Sequence, residues 1–404
     1  MPPDFVIKPR LLQVLAWLAI AFAVLLFVLQ GLSLQNHISS DFKIYYWAAK
    51  HFVDNPMLLY QESSRLTLSG YLYPPPSIFL FLPLQLVSLE IGFQLFSPLI
   101  LLSALIALLL WLRLLVKADL APSNLLLMAA ILSLAIVSGS VFSGRAGQID
   151  AFVLLLCVIA VALAESMPLL AGAIISVGAW IKIYPALLIF YAMTQASFRR
   201  FLCGFLVAGI TIPGLACTVI PIDLMFKYFL DILPSLSGRT IINIDNQSLQ
   251  AIGVRAMIPL SEAINSFAAY PVPSLLRWGG NVMALSMILL TACLVRRRKS
   301  KNLNLYIAAV IMAMIPLMAP LGWGHTYIYV LPLFCLMVSR AASHSLPSLL
   351  VALFVYLAFV FPSHHNFQYL QGMPDFFLEL LFARYAIATI VLCILSWRFI
   401  LSEK

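Results

Sequence analysis

The side chains best suited to chemistry in this chain are few and widely spaced. Asp41 stands in Ser39-Ser40-Asp41-Phe42-Lys43-Ile44-Tyr45-Tyr46-Trp47, shortly after the first apolar run. A carboxylate set among aromatics beside a bilayer can act as a general base toward a hydroxyl. The same position, ahead of a helix-forming run, equally suits a helix N-cap. Tyr45, Tyr46 and Trp47 fit an interfacial aromatic belt and, as a second use, a stacking surface for a sugar. Tyr73 precedes Pro74-Pro75-Pro76, which reads as a stiff extended lead-in or as plain helix-start punctuation.

Farther along, Arg145-Ala146-Gly147-Gln148-Ile149-Asp150 opens an apolar helix. Its backbone amides and Gln148 can face an anion or a sugar hydroxyl, whereas Asp150 also serves as a first-turn acid on the helix dipole. Lys182, in Trp180-Ile181-Lys182-Ile183-Tyr184-Pro185, either snorkels to the interface or pairs with an anion. His325 follows Gly322-Trp323-Gly324, and a lone histidine is more often structural than catalytic. The sequence has no P-loop, GxSxG, HExxH or clustered His/Cys spacing, which argues against a nucleotide-driven pump or a membrane metalloprotease. No acid cluster accompanies Asp41, so neither a divalent metal nor another cofactor is expected.

Composition says what must position these groups. Of 404 residues, 63% are hydrophobic and 10% charged, and the mean hydropathy is +1.02, so most of the surface must face lipid. The net charge of +9 does not gather in a solvated domain, and no nucleic-acid partner is expected. The basic residues punctuate apolar runs instead, as in membrane topology. The six cysteines lie inside apolar segments without CxxC spacing and read as small buried hydrophobes. The pattern predicts an all-α, polytopic transmembrane helical bundle with about 12 spans and amphipathic helices in the outer loops. One domain covers 1–404, with a first extracytoplasmic loop at 33–73 and a second at 221–273. The run 11–31 reads as an uncleaved first span entering from the cytoplasm.

Two stretches leave the threading open. The proline-rich 74–89 is either a span or an interfacial piece, and 167–194 is one long helix or two broken around Lys182 and Pro185. The positive-inside rule favours a non-crossing first stretch and a broken second. Arg113, Lys117, Arg199, Arg200, Arg296, Arg297, Arg298 and Arg398 then join Lys8 and Arg10 in the cytoplasm. Asp41, the Gln148–Asp150 turn, Lys182, Asn246 and His325 then share the extracytoplasmic face. Ionisable groups converging at membrane depth are expensive and usually functional. Nucleotide sugars and ATP are not expected on that face, so an activated donor there must be carried by lipid.

The order of these motifs resembles the polyprenol-phosphate-sugar-dependent glycosyltransferases of family 87. These have the GT-C fold and include mycobacterial mannosyl- and arabinofuranosyltransferases. The resemblance rests on Asp41-Phe42-x-x-Tyr45-Tyr46-x-Ala48-Ala49, Leu59-Tyr60, Tyr73-Pro74-Pro75, Gly147-Gln148-x-Asp150, Ile181-Lys182-x-x-Pro185, Asn246-Gln247-Ser248-Leu249 with Arg255, and Trp323-Gly324-His325. It spans roughly residues 37 to 340. One departure is Asp150, where the family often has Asn.

The resemblance implies inverting transfer of a hexose or pentose, mannose-like, from a polyprenyl-phosphate sugar to a hydroxyl of a glycolipid or glycan acceptor. Asp41 would be the general base, and the acidity of the phosphate leaving group makes a second acid unnecessary. Arg145, Lys182 and Arg255 would meet the phosphate charge, with His325 as a further donor. Tyr45, Tyr73, Gln148, Asp150 and Asn246 complete the expected substrate contacts. The setting it implies is a bacterial cytoplasmic membrane with the active site on its outer face. A flippase or transporter of lipid-linked sugars would use similar residues, but it needs a polar route to the cytoplasm. The charges cluster at one face, and no paired broken helices occur in two halves.

Overall fold

A computed structural model describes residues 38–61, 68–120, 147–259, 266–298, 301–344 and 375–402, with a few isolated positions elsewhere. The described chain is mostly helical, with a single two-stranded ribbon. The expected spans near residues 20, 132 and 354 fall essentially outside the described residues, as does Arg145.

Helix α1, Ser40–Asp54, forms the ordered part of the first loop. Ser39 is its N-cap, its hydroxyl accepting from the Asp41 amide at 3.2 Å. Asp41 therefore sits in the first turn, and its carboxylate is not spent on capping. Phe42, Tyr45, Ala48, Ala49 and Phe52 make the buried stripe, at the three- and four-residue spacing of an amphipathic helix.

The stretch 74–89 is two short 3-10 segments, Pro75–Leu80 and Leu82–Leu86, each with a proline in its first turn. They lie against α1, where Gln85 donates to the Tyr46 carbonyl and the Tyr46 hydroxyl donates to the Val87 carbonyl. Helix α2, Leu89–Lys117, is capped by Ser88 and runs 29 residues. At about 1.5 Å per residue it is ample for a bilayer core of about 30 Å. Its two faces differ in burial but not in polarity: Ala104, Leu108 and Trp111 face the protein, and Leu95, Leu99 and Leu109 face outward. Lipid is the only solvent that suits both.

Helices α3, Asp150–Leu163, and α4, Pro168–Ile181, form a hairpin. Helix α5, Phe198–Ala216, crosses α4 at very close range. A Cβ added to Gly172 would lie 1.9 Å from the Phe201 carbonyl oxygen, and one added to Gly204 1.9 Å from that of Leu169. Small residues that let backbones touch are how membrane helices associate when lipid removes the hydrophobic drive. Between α4 and α5 the chain breaks at Lys182, which is extended, and restarts as a 3-10 turn, Tyr184–Leu188, led by Pro185.

The loop 221–273 is folded. Short helical turns from 222 to 238 lead to β1, Arg239–Ile241, which pairs antiparallel with β2, Ala269–Pro271. Between the strands lies α6, Leu249–Arg255, capped by Ser248. Then come α7, Ser274–Arg298, and α8, Asn304–Met318, whose residues from Tyr306 to Leu317 are all buried. A 3-10 stretch, Gly324–Val330, leads into α9, Leu331–His344, and α10 is Arg384–Ser402.

Among the described residues four helices, α2, α5, α7 and α10, are long and apolar enough to cross a membrane, and α3, α4 and α8 are shorter apolar helices. Several apolar runs are interrupted: α4, of 14 residues, ends ahead of the 3-10 turn that Pro185 leads, and α8, of 15 residues, ends ahead of the Gly322–Gly324 turn and its 3-10 stretch. The basic C-terminal end of α7 lies beside the C-terminal end of α10, Arg298 donating to the Leu401 carbonyl. The six cysteines are free: Cys157, Cys335 and Cys393 are buried, whereas Cys203, Cys217 and Cys293 are exposed rather than buried as expected.

Candidate active site

The first loop, the Lys182 break, the 320–326 turn and the start of α7 line a half-open cavity of about 700 Å³. Asp41, Tyr45, Tyr73, Gln148, Lys182 and His325 all line it. Tyr45 follows Asp41 by one helical turn, which puts the two on one face of α1. Its ring stacks on Phe81 at 4.3 Å, and its hydroxyl lies 2.7 Å from that of Tyr73. Both phenols reach Gln148, at 2.8 Å from Tyr45 and 3.1 Å from Tyr73 to Oε1. Residues 45, 73 and 148 thus form one hydrogen-bonded unit across three segments.

Gly147 makes that unit possible. Its φ is +63°, and a Cβ there would come 2.9 Å from the Phe42 side chain and 3.3 Å from Phe93. Only glycine adopts this left-handed turn without strain while letting the 147–148 backbone press onto α1.

Beside the tyrosines lies a charge pair. Lys182 Nζ is 2.8 and 2.9 Å from the two carboxylate oxygens of Asp150, and His325 Nε2 is 3.6 Å from Oδ2. Asp150 is almost fully buried, and the Lys182 ammonium also sits 5.4 Å from the centre of the Tyr73 ring. Burial pulls the lysine's pKa down, but the charge and hydrogen bond of Asp150, with Tyr73 and Tyr184, together outweigh it and the net shift is upward. Burial pulls the His325 pKa down, against the opposing pull of Asp150 and Asp41, so the imidazole is held toward its neutral form. Burial likewise raises Tyr73 above the usual phenol range. Among the described residues the Asp41 carboxylate has no hydrogen-bond or ion-pair partner, and it is open to the cavity.

Three expected contacts lie elsewhere. Asp150 is beneath the cavity wall and acts on Lys182. Asn246 is fully buried: its amide nitrogen donates to the Ile241 and Pro320 carbonyls and the Thr240 hydroxyl, and its oxygen accepts from the Gly322 and Ser248 amides. It splints the loop after β1 to the turn that carries Trp323 and His325. Arg255 is also fully buried, donating to Glu379 at 3.0 Å and to the carbonyls of Ile242, Asn243 and Asn246. Neither Asn246 nor Arg255 lines the cavity. Polarity in a loop marks them in sequence; their partners are visible only in three dimensions, and the Arg255 Nη2 is buried with none among the described residues.

The cavity also draws on residues that the sequence reading did not single out: Gln250 on α6 and Arg277, Trp278 and Asn281 on α7. The available signal was the placement of Arg277 and Asn281 four residues apart, on one face of a largely apolar helix. Among the described residues no group of three His, Cys, Asp or Glu side chains is placed to hold a metal.

The apolar helices mark a polytopic membrane protein, and beside them opens a largely apolar cavity with a few converging polar groups. The family model of glycosyltransferase family 87 matches residues 71–321, more than half of the chain, and the protein belongs to that family. It is a membrane glycosyltransferase in this general sense, with a sugar donor and an acceptor as substrates. The match takes in Tyr73, Gln148, Asp150, Lys182 and Arg277; Asp41 and His325 lie beyond its two ends. No curated protein matches the chain.

Proposed function

We propose that the protein transfers a hexose or pentose, mannose-like, from a polyprenyl-phosphate sugar to a hydroxyl of a glycolipid or glycan. Asp41 removes the acceptor proton as the oxygen attacks the anomeric carbon from the face opposite the phosphate. The carbon–phosphate-oxygen bond breaks, the electron pair leaves with the phosphate, and the sugar inverts. The leaving group is already a weak base, so no general acid is required. The Tyr45–Tyr73–Gln148 unit offers a rigid polar edge and ring faces to a sugar. Lys182, balanced by Asp150, orients rather than neutralises, and His325 supplies a neutral hydrogen-bond donor. The reaction so described uses no metal cofactor. The setting is a bacterial cytoplasmic membrane with the chamber on its outer face.

One observation carries this reading: the chamber holds a carboxylate freed from capping by Ser39 and unpaired among the described residues. The Asp41→Asn variant keeps the side chain's size and removes the base. It should insert and melt like the parent while transfer falls at least a hundredfold, the low end for loss of a general base. Near-normal turnover by an inserted Asp41→Asn protein would falsify the assignment.

A further inference from the structure

The chamber's polar wall has a second part, supplied by α6 and α7. Helix α6 lies close on α7 because two glycines permit it. A Cβ on Gly253 would meet Leu276 at 2.9 Å, and one on Gly280 would meet Leu249 at 3.4 Å. This contact places Gln250 beside the first turns of α7, where Arg277 and Asn281 follow one another by a turn and line the cavity. Gln250 is only 4% exposed, and its carboxamide oxygen is buried with no donor. The Arg277 Nε is likewise buried with no acceptor, and among the described residues no carboxylate pairs with its guanidinium. The group it does approach is the Trp278 ring, 5.7 Å away. Buried polar atoms without partners are rare and mark places where something else completes the bonding.

Of the cations expected to meet phosphate, the two that are described each have a carboxylate partner. Lys182 is balanced by Asp150, and Arg255 is bound to Glu379 and three carbonyls away from the cavity. Arg277 is the chamber cation whose charge no described carboxylate answers. The outer side of α7 beside it is apolar, with Leu275, Trp278 and Val282 all strongly exposed, and Trp278 belongs to both surfaces.

We propose that Arg277 and Asn281 seat the phosphate of a lipid-borne substrate, that Gln250 accepts from a sugar hydroxyl next to it, and that the lipid tail leaves past Leu275, Trp278 and Val282. This rests on the lipid-phosphate reading given above and shifts the phosphate away from Lys182. A guanidinium matches two phosphate oxygens at once, which an ammonium cannot do.

Native mass spectrometry of the purified chain in detergent can count bound decaprenyl monophosphate, with decaprenol and inorganic phosphate as the other probes. The parent should take up one decaprenyl monophosphate at least ten times more tightly than decaprenol, and excess inorganic phosphate should displace it poorly. Arg277→Gln should lose at least tenfold toward the monophosphate and nothing toward decaprenol; Arg277→Lys should lose severalfold. Should Arg277→Gln fail to insert, Arg277→Lys decides alone. Unchanged monophosphate binding by whichever variant inserts overturns the Arg277 seat and leaves the proposed reaction standing. A parent that does not prefer the monophosphate overturns the lipid-phosphate reading itself. Complete displacement by inorganic phosphate overturns the lipid part of the seat.

Discussion

Asp150 and Lys182 show how a chamber in an apolar protein can carry charge. An isolated carboxylate at this depth would be strongly disfavoured, and so would an isolated ammonium. Held at 2.8 Å, each makes the other tolerable. Removing one partner leaves the other buried and uncompensated, which costs about 3–5 kcal/mol in comparable pairs. Lys182→Met should therefore lower the melting temperature in detergent strongly, and Asp150→Asn similarly. The double variant Asp150→Asn/Lys182→Met should lose clearly less than the sum, because no orphan charge remains. Strict additivity of the two losses would show that the ion pair is not what the single variants break. The pair was half legible in the sequence: Lys182 stood out among apolar residues, but nothing in the linear order joined it to Asp150. Its partner comes from the helix before, through the α3–α4 hairpin.

At the scale of elements, glycine and proline decide the architecture. Gly147→Ala combines a left-handed backbone with a Cβ 2.9 Å from Phe42, so it is strained on two counts. The backbone penalty alone is about 1–2 kcal/mol. The variant should be less stable and should displace Gln148 from Tyr45 and Tyr73, raising KM for the sugar substrates more than it lowers yield. Wild-type KM would mean that the tyrosine–glutamine unit does not depend on this turn. The break at Lys182 was legible because proline and lysine interrupt an apolar run. The proline-rich 74–89 was legible as irregular, though not as a strap tied to α1 by Gln85 and Tyr46. Where the backbone changes from α to 3-10 was not legible, since apolar length says nothing of it.

At the scale of the molecule, the proposed outer-face placement of the chamber rests on the basic ends of its helices. Met57 is exposed in the first loop, just beyond α1. Ser166 is exposed in the α3–α4 turn, whose Ala164 carbonyl accepts from Ser197 beside Arg199 and Arg200. With the native cysteines removed, Met57→Cys should react with an impermeant maleimide in intact cells, and Ser166→Cys only after lysis. The reverse labelling would put the chamber in the cytoplasm and make nucleotide-sugar donors available to it. The central claim is that a membrane-borne activated sugar is the donor, and one assay addresses it directly. The purified protein is given the same radiolabelled mannose as a polyprenyl-monophosphate sugar or as a nucleotide sugar, with a lipid-extracted glycan fraction as acceptor. Label should pass to the acceptor from the polyprenyl form alone; efficient transfer from the nucleotide sugar would contradict the account.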